Sequence, residues 1–487
     1  MGSATAKRLK PYRAVILAAL LYYAIRLIFY AVTLSPYVPP DEVTHFGLCR
    51  VFAQTCLLPE NTSETWSFGQ VTHQPYLYYW VMGRMLQLNF FGLPDLLFLR
   101  LVNVAITLGT AVVALLWIRL VTDNRTTQGL FAILLTNTPM YSVVGASVSY
   151  DNLAIAWAVL ALYGLHRFKL RPSGSALFVA GIAVLAGALT KKAYLPLVAI
   201  YFVLGLYLVT RALSRGWPAA RPSWADVSAR KAIGLGLVLL LLILNLRLYG
   251  GNLLEYGRLI PATDQVLTVE QAMHYRIYAR NRIVRLYREG HRSHAQAAKM
   301  AAKIDHPGDR RATLYLLRLA KRQASQPVDL MNRGQYAVFW WLKTVQGLMG
   351  IVGHRTMLKP QGVMVVYHLI FLLALLALAV SWRRHQPRAM LIEAALIGGC
   401  YALILMQGVN YPIYKQFYSP LLALQGRYLL PVIVPLYGLV ACGYSEPLKA
   451  NRVQVLAFVL VASFFVWGDF VYFLQNVNAQ WYASPSP

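Results

Sequence analysis

The sequence predicts an all-α polytopic membrane protein, and its composition is the first reason. Of the 487 residues, 58% are hydrophobic and 13% are charged, whereas soluble proteins carry about 45–50% and about 25%. The mean hydropathy is +0.49. Dominant apolar runs and only four cysteines exclude collagen-like, disordered and disulfide-scaffold proteins.

The second reason is that apolar stretches of about 20 residues, the length that crosses a bilayer, recur along the chain. The first follows a basic N-terminus and is interpreted as an uncleaved signal anchor. The breaks at Thr138-Pro139 and at Thr190-Lys191-Lys192 separate short stretches. The eleven predicted spans are about 14–35, 97–118, 128–144, 150–166, 175–190, 194–211, 232–249, 363–382, 389–408, 429–445 and 453–474.

The basic residues predict how these spans are oriented. With the N-terminus in the cytoplasm, the inner segments hold 19 Lys and Arg residues, whereas the short outer turns hold only Lys191, Lys192, Lys415 and Arg427. Cytoplasmic loops carry the excess of Lys and Arg in membrane proteins. The charges therefore predict a cytoplasmic N-terminus and an outer C-terminus, and they account for much of the +28 net charge without nucleic acid.

Two outer segments are long, residues 36–96 (the first loop) and 250–362 (the insertion). They divide the chain into a transmembrane core at 1–249, the insertion, and C-terminal transmembrane helices at 363–487. The insertion holds 18 Lys and Arg against 7 Asp and Glu. Its pattern predicts cationic amphipathic helices at 270–300, with Gly290 as a candidate break, and at 312–322. These helices would bind either anionic lipid headgroups or an anionic acceptor such as a phosphorylated glycan.

The first loop opens with an acidic pair in a chain that has only 18 acidic residues. Pro39 and Pro40 end the first span, and Asp41 can cap a new helix that places Glu42 and His45 on one face. The pair is therefore either a helix cap with a dipole-compensating neighbour or a reactive site.

Other features of the first loop are also open to two interpretations. An aromatic-rich interfacial helix follows His73 and Gln74. This segment is either an interfacial anchor only, or it places His73 or Gln74 so that the side chain faces a cleft. Cys49 and Cys56 would lie about 10.5 Å apart along one helix, beyond the reach of a disulfide, and are interpreted as free thiols.

At these residues the chain resembles the GT-C superfamily of integral membrane glycosyltransferases, including protein mannosyltransferases and aminoarabinose transferases. The likeness covers the first two hundred residues and the segment around 411–435. A bacterial subgroup of predicted membrane proteins is similar in pairing Pro-Asp-Glu…His with Gln-Gly-Arg-Tyr. The motifs are Pro40-Asp41-Glu42 with His45, His73-Gln74-Pro75-Tyr76, Ser149-Tyr150-Asp151-Asn152, Leu189-Thr190-Lys191-Lys192 and Gln425-Gly426-Arg427-Tyr428.

The resemblance implies a GT-C-like bundle of about 11 transmembrane helices, with interfacial helices in the first loop and a helical insertion. It implies a bacterial cytoplasmic membrane location, with the active site on the outer face. The activity implied is inverting transfer of a sugar from a polyprenyl-phosphate donor to a glycan, lipid or protein. A transporter or lipid flippase, and a surface-polysaccharide polymerase or ligase, are the alternatives.

Transfer from a lipid phosphate needs a base for the acceptor hydroxyl and fixed positive charge for the departing phosphate. The resemblance implies Asp41 or Glu42 as the base; we choose Asp41, with Glu42 orienting the acceptor or a metal. Arg427, with Lys191 or Lys192, is the candidate phosphate site, although the lysines could instead snorkel to the interface. Candidates for substrate binding or support are His45, His73, Gln74, Asp151, Gln425 and Tyr428.

Two further predictions concern charge. Asp151 could cap the fourth span or support the acidic pair. A divalent metal ion could join the site, but no ligand spacing is diagnostic. Charged residues inside spans usually face the interior and pair, and we expect such pairing within the set Arg26, Arg100, Arg247, Glu393 and Asp469. Arg26 is the best candidate of this set for a ligand role, but an internal ion pair is the favoured interpretation.

Overall fold

The described part of the chain is helical. A computed structural model describes residues 10–216, 229–327, 329–351, 357, 359–382, 389–445 and 451–483. Within these ranges the only extended pairing is one isolated bridge between Leu34 and Tyr482. Nine helices there are long and apolar enough to cross a membrane. The predicted class, an all-α polytopic membrane protein, is therefore confirmed.

The N-terminal half begins with a long apolar helix, followed by two short helices of the first loop and then the helices of the core. Its helices are α1 Lys10–Thr33, α2 Glu42–Ala53, α3 Leu77–Leu86, α4 Asp95–Val121, α5 Arg125–Thr136, α6 Pro139–Gly145, α7 Tyr150–Leu170, α8 Gly174–Thr190, α9 Leu195–Ser214 and α10 Ala229–Asn245.

The predicted count of eleven spans is not confirmed. The stretch 128–144 consists of two short helices, α5 and α6. Thr138 between them is extended, because a residue before proline is disfavoured in helical geometry, and Pro139 then begins α6. The stretch 175–190 corresponds to α8, whose 17 residues make it shorter than the nine long helices.

The described residues of the insertion form seven helices, four of which begin with a side-chain cap. They are α11 Gly251–Tyr256, α12 Thr263–Val266, α13 Val269–Met273, α14 Arg276–Arg288, α15 His294–Ala302, α16 Pro307–Ser325 and α17 Arg333–Gly350. Capping boxes begin α13, α15 and α17. Apolar faces of α14, α15 and α16 pack around Ile283, Leu316 and Leu317.

Two predicted boundaries in the insertion were wrong. The helix expected over 270–300 is divided into α13, α14 and α15. Gly290, at φ 77°, lies in the break after α14, a conformation that glycine adopts without strain. The helix expected at 312–322, α16, begins at Pro307 and not near 312, because proline suits the first helical turn and His306 caps it.

The C-terminal part returns to long apolar helices. The helical elements of this part, long and short, are α18 Gln361–Trp382, α19 Ala389–Ile404, α20 Tyr411–Phe417, the 3₁₀ helix Gly426–Val432, α21 Ile433–Ser445, α22 Asn451–Val466 and α23 Tyr472–Asn476. A π-helical turn joins α19 to α20. The described residues from Ala389 to Phe417 thus form one long helical element.

Charges inside the core are paired, as predicted. Arg26 lies 2.5 Å from Asp469, and both side chains are fully buried. Glu393 binds Lys169 at 2.6 Å and lies 3.3 Å from His166. Arg247 differs because its side chain is exposed. The predicted free thiols also agree with the structure, since Cys49 and Cys56 are not bonded to each other.

Candidate active site

Asp41 stands at the start of α2 but does not cap it with its side chain. Its backbone is left-handed, at φ 60°, and no side-chain cap bond forms. One carboxylate oxygen instead accepts from Arg427, and the other accepts from Arg276 at 2.9 Å. The strained backbone conformation thus directs this carboxylate toward two guanidinium groups.

Glu42, the next residue, has a different environment. Its side chain is fully buried, and Arg100 donates to both carboxylate oxygens at 2.9 and 2.5 Å. The backbone N–H of Val148 donates to it at 2.8 Å. Arg100 also donates to the carbonyls of Ala31 and Leu34. Glu42 therefore ties the start of α2 to α4 and to the segment before α7.

Asp151 is in the first turn of α7, but Ser149 is the residue that caps this helix. The side chain of Asp151 is fully buried and ion-paired with Lys191, and it lies 3.5 Å from Arg427. Of the two predicted alternatives for Asp151, the helix cap is therefore excluded. Lys191 is 3% exposed, so it does not snorkel to the interface.

Close backbone packing positions Arg427. A Cβ on Gly426 would lie 2.2 Å from the backbone nitrogen of Leu348, so only glycine lets the 3₁₀ helix approach α17 this closely. Arg427, 2% exposed, is directed at Asp41 and donates to the Pro40 carbonyl at 3.1 Å. The Gln-Gly-Arg-Tyr motif thus places a buried guanidinium beside Asp41.

Aromatic rings surround the buried cations. The Lys191 ammonium lies 4.8 Å from the ring centroid of Tyr150 and 5.5 Å from that of Tyr428. Arg427 lies 5.7 Å from the Tyr428 ring. Such contacts stabilise a desolvated cation by about 2 kcal/mol. Tyr428 therefore supports both cations.

His45 lies beside the cluster and is uncharged near neutral pH. Burial, with the positive charge of Arg427 and Lys191, lowers its pKa to about 4, although Asp41 opposes that shift. Its Nδ1 lies 2.9 Å from the Tyr79 hydroxyl. Its Nε2 is buried and has no partner among the described residues.

Other predicted site residues lie elsewhere or make no contact with the cluster. The Lys192 side chain is exposed and has no ion pair among the described residues. His73 binds the Asn252 side chain at 2.9 Å, which joins the first loop to the insertion. Gln74 is half-buried. Gln425 begins the 3₁₀ helix, and its Oε1 is buried and unpartnered within the described residues.

Sequence reasoning missed Arg276, which brings the insertion into the site. Arg276 donates to Asp41 and, at 2.8 Å, to Asp309 of α16. The Arg280 guanidinium lies 4.0 Å from Asp309. The amphipathic pattern around 270–300 predicted a basic helix, but nothing in it distinguishes Arg276 from the other arginines.

The electrostatics of the cluster hold Asp41 ionised. Burial would raise the pKa of Asp41, but Arg427, His45 and Arg276 together lower it well below the ordinary range. The side chain is 26% exposed, against 0% for Asp151 and Glu42. The connected charges are the carboxylates of Asp41, Asp151 and Asp309 and the cations of Arg427, Lys191, Arg276 and Arg280.

A metal-binding group of three or more His, Cys, Asp or Glu side chains does not occur among the described residues. The oxygens of Asp41 and Asp151 are engaged by arginine and lysine groups. Positive charge in the cluster is thus supplied by side chains.

Comparisons with known proteins find similarity only at the level of structure. No family model and no curated protein matches the chain. The ArnT structure from Cupriavidus metallidurans bound to undecaprenyl phosphate has 14% identity and a TM-score of 0.35, covering 96% of this chain and 89% of that one. The apo oligosaccharyltransferase of Archaeoglobus fulgidus has 13% identity and a TM-score of 0.46, covering 98% and 57%.

The Saccharomyces cerevisiae protein O-mannosyltransferase Pmt1-Pmt2 complex, bound to its sugar donor, has 14% identity and a TM-score of 0.36. The match covers 50% of this chain and 33% of that one, so this chain spans only part of the mannosyltransferase and of the oligosaccharyltransferase. GT-C glycosyltransferases are thus among the similar structures, as the motifs predicted. At identities and TM-scores this low, the chain's own residues have to support any function.

Proposed function

We propose that this protein is an inverting membrane glycosyltransferase that moves a sugar from a polyprenyl-phosphate donor to an acceptor on the outer face of the cytoplasmic membrane. One observation carries the proposal. Asp41, a part-exposed carboxylate, is bound by Arg427, a buried guanidinium that also adjoins the Asp151–Lys191 pair. This arrangement supports a base and a phosphate site that lie side by side.

Asp41 is the proposed base because an acceptor can reach it. Its side chain is 26% exposed, whereas Asp151 and Glu42 are at 0%. A general base needs hydrogen-bond contact with the proton that it removes. Glu42 is committed to Arg100, so its proposed part is to hold α2 and thereby Asp41 in place.

Arg427 and Lys191 are the proposed phosphate ligands. Arginine can grip two phosphate oxygens, and lysine adds a point charge. The Nε of Arg427 is buried and unpartnered within the described residues, so it has a bond left to donate. In a buried site such fixed donors are worth more than in water.

The contact between Arg427 and Asp41 links donor binding to the strength of the base. In the free protein Arg427 and Arg276 lower the pKa of Asp41, which makes it a weak base. A donor phosphate that recruits Arg427 would withdraw one of these positive charges. The pKa of Asp41 would then rise, so the base would strengthen only when the donor is bound.

The proposed reaction is a single displacement. The acceptor oxygen bonds to the anomeric carbon as its proton passes to Asp41, and the bond from that carbon to the phosphate oxygen breaks. Polyprenyl phosphate leaves with the electron pair, beside Arg427 and Lys191. Attack opposite the leaving group inverts the anomeric centre, the logic of inverting glycosidases. A divalent cation that entered with the donor would meet Asp41, the accessible carboxylate.

Transport is less well supported than group transfer. Charges inside transporter spans mark substrate and ion pathways. Here Arg26 is paired with Asp469, and Lys169 is paired with Glu393.

The test is transfer from polyprenyl-phosphate sugars in membranes that contain the protein. Asp41→Asn should reduce transfer by about 10²- to 10⁴-fold, the usual contribution of a general base. Asp305→Asn, an equivalent change at an exposed position of the insertion, is the matched control and should be silent. Near wild-type transfer by Asp41→Asn would disprove the assignment, and substrate uptake into sealed vesicles without any donor would favour a transporter.

A further inference from the structure

A cavity of about 460 Å³ lies away from the acidic cluster, where α14, α16 and α20 end. Ligand sites for small molecules occupy about 300–1,000 Å³. The wall combines arginine, tyrosine and glutamine side chains with two alanines and a phenylalanine. The residues used below are Arg285, Arg288, Glu289, Gln323, Gln416 and Tyr418.

The backbone of Tyr418 is strained. It follows α20 with φ 58°, a left-handed conformation that costs a non-glycine residue roughly 1–3 kcal/mol. Arg288 donates to its hydroxyl at 2.8 Å, and the guanidinium carbon lies 4.4 Å from the ring centroid. The strained turn and this arginine together present a flat aromatic and guanidinium surface to the cavity.

Arg285 leaves a donor unsatisfied beside the same cavity. Its Nε is buried and has no partner among the described residues. A buried donor without a partner costs about 1–3 kcal/mol. The protein therefore does not fully satisfy the hydrogen-bonding capacity of this wall residue.

The charge around the cavity indicates that the occupant is uncharged. Arg285 and Arg288 contribute two positive charges, and Glu289 contributes one negative charge. The three helix ends add roughly half a negative charge each, which leaves the wall close to neutral. The last carbonyls of α14, those of Arg285, Leu286 and Tyr287, already accept backbone N–H bonds, but each carbonyl oxygen keeps a second lone pair that can accept from a hydroxyl group. Phosphate would be repelled by those carbonyls, whereas a neutral sugar offers hydroxyls to both carbonyl and guanidinium groups.

Helix α14 connects the cavity to the proposed active site. Arg276 begins α14 and binds Asp41, whereas Arg288 ends it. Twelve residues of helix span about 18 Å. We propose that the cavity binds an uncharged sugar residue of the acceptor, an oligosaccharide whose reacting end lies at Asp41. This inference rests on the proposed glycosyl transfer, because it assigns the acceptor class to that reaction.

The experiment measures binding apart from catalysis. The purified full-length protein in detergent is applied to an array of uncharged, phosphorylated and carboxylated oligosaccharides. We expect binding to a subset of the uncharged glycans, weakened about tenfold or more by Arg288→Ala and by Tyr418→Ala. Arg292→Ala, an exposed arginine outside the cavity, removes the same charge and should bind as wild type.

The outcomes separate this inference from the proposed function. Asp41→Asn should bind the same glycans while failing to transfer sugar. Absence of binding to every uncharged glycan, binding restricted to charged glycans, or equal binding by Arg288→Ala and wild type would each overturn the cavity assignment. Catalysis dependent on Asp41 would survive any of these results.

Discussion

Arg100 occupies both carboxylate oxygens of Glu42, at 2.9 and 2.5 Å, in a site closed to solvent. Glu42 is adjacent in sequence to Asp41, whose carboxylate is part-exposed. One helix start thus gives two neighbouring acids separate environments, one sealed and one reachable. The first prediction follows from this difference.

Glu42→Gln should destabilise the protein and leave the chemistry of the remaining folded fraction intact. Removing one partner of a buried ion pair costs roughly 3–5 kcal/mol, because the other charge stays buried and unpaired. The measurement is the thermal midpoint in detergent, with transfer normalised to folded protein. Glu60→Gln, at an exposed position of the first loop, is the control. A stable variant without transfer would instead give Glu42 a direct chemical role.

Arg427→Lys should lower transfer by roughly 10- to 100-fold, although the charge is kept. Lysine cannot form the two-pronged contact with a phosphate, and each 1.36 kcal/mol lost is about tenfold in rate. The comparison uses Arg322→Lys, at an exposed position at the end of α16. If Arg427→Lys transfers at the wild-type rate, the guanidinium does not grip the leaving phosphate.

Arg276→Ala should move the acidic limb of the pH–rate profile to higher pH. Arg276 lowers the pKa of Asp41, so its removal raises that pKa, and the base is protonated at a higher pH than in the wild type. The profile of kcat/KM reports this group in the free enzyme.

Asp309→Asn provides the opposite change at the same contact. Asp309 shares Arg276 with Asp41, so neutralising it leaves more of the positive charge for Asp41. The acidic limb should then stay in place or move to lower pH. A shift of both variants in the same direction would show that the insertion acts by general disruption and not through the charge on Asp41.

Helix ends explain why much of this site was predictable. Asp41, Asp151, Lys191 and Arg427 each lie at or next to a helix end, so assigning those ends to one side of the membrane predicted that the four would meet. Because the chain has only 18 acidic residues, the adjacent pair Asp41 and Glu42 was easy to recognise as unusual. The sequence pattern did not decide whether an acceptor can reach Asp41 or Glu42, because that depends on burial and on the contact of Glu42 with Arg100.

The missed features depend on tertiary packing. Arg276 is one of 18 Lys and Arg residues in the insertion, and only the position of α14 against the first loop selects it. Lys192 adjoins Lys191 and has the same side chain, but helical geometry directs it to the surface. The sequence named a break at Thr138-Pro139, but hydropathy still gave 128–144 as one span, because the proline interrupts the helix without interrupting the apolar run.

His45 predicts how stability depends on pH. Burial lowers its pKa from the ordinary value of about 6.5 to about 4, so the unfolded chain binds the proton more readily than the native protein. Its contribution is therefore fully present above about pH 6.5 and is lost as the pH falls toward about 4, by roughly 3 kcal/mol.

His45→Gln removes the titrating group, so the thermal midpoint should fall less between about pH 7.5 and about pH 5 than in the wild type. His291→Gln, at an exposed position, should keep the wild-type fall. If the thermal midpoint of His45→Gln falls by as much as that of the wild type, other groups cause the acid sensitivity and the native protein accommodates a charged His45.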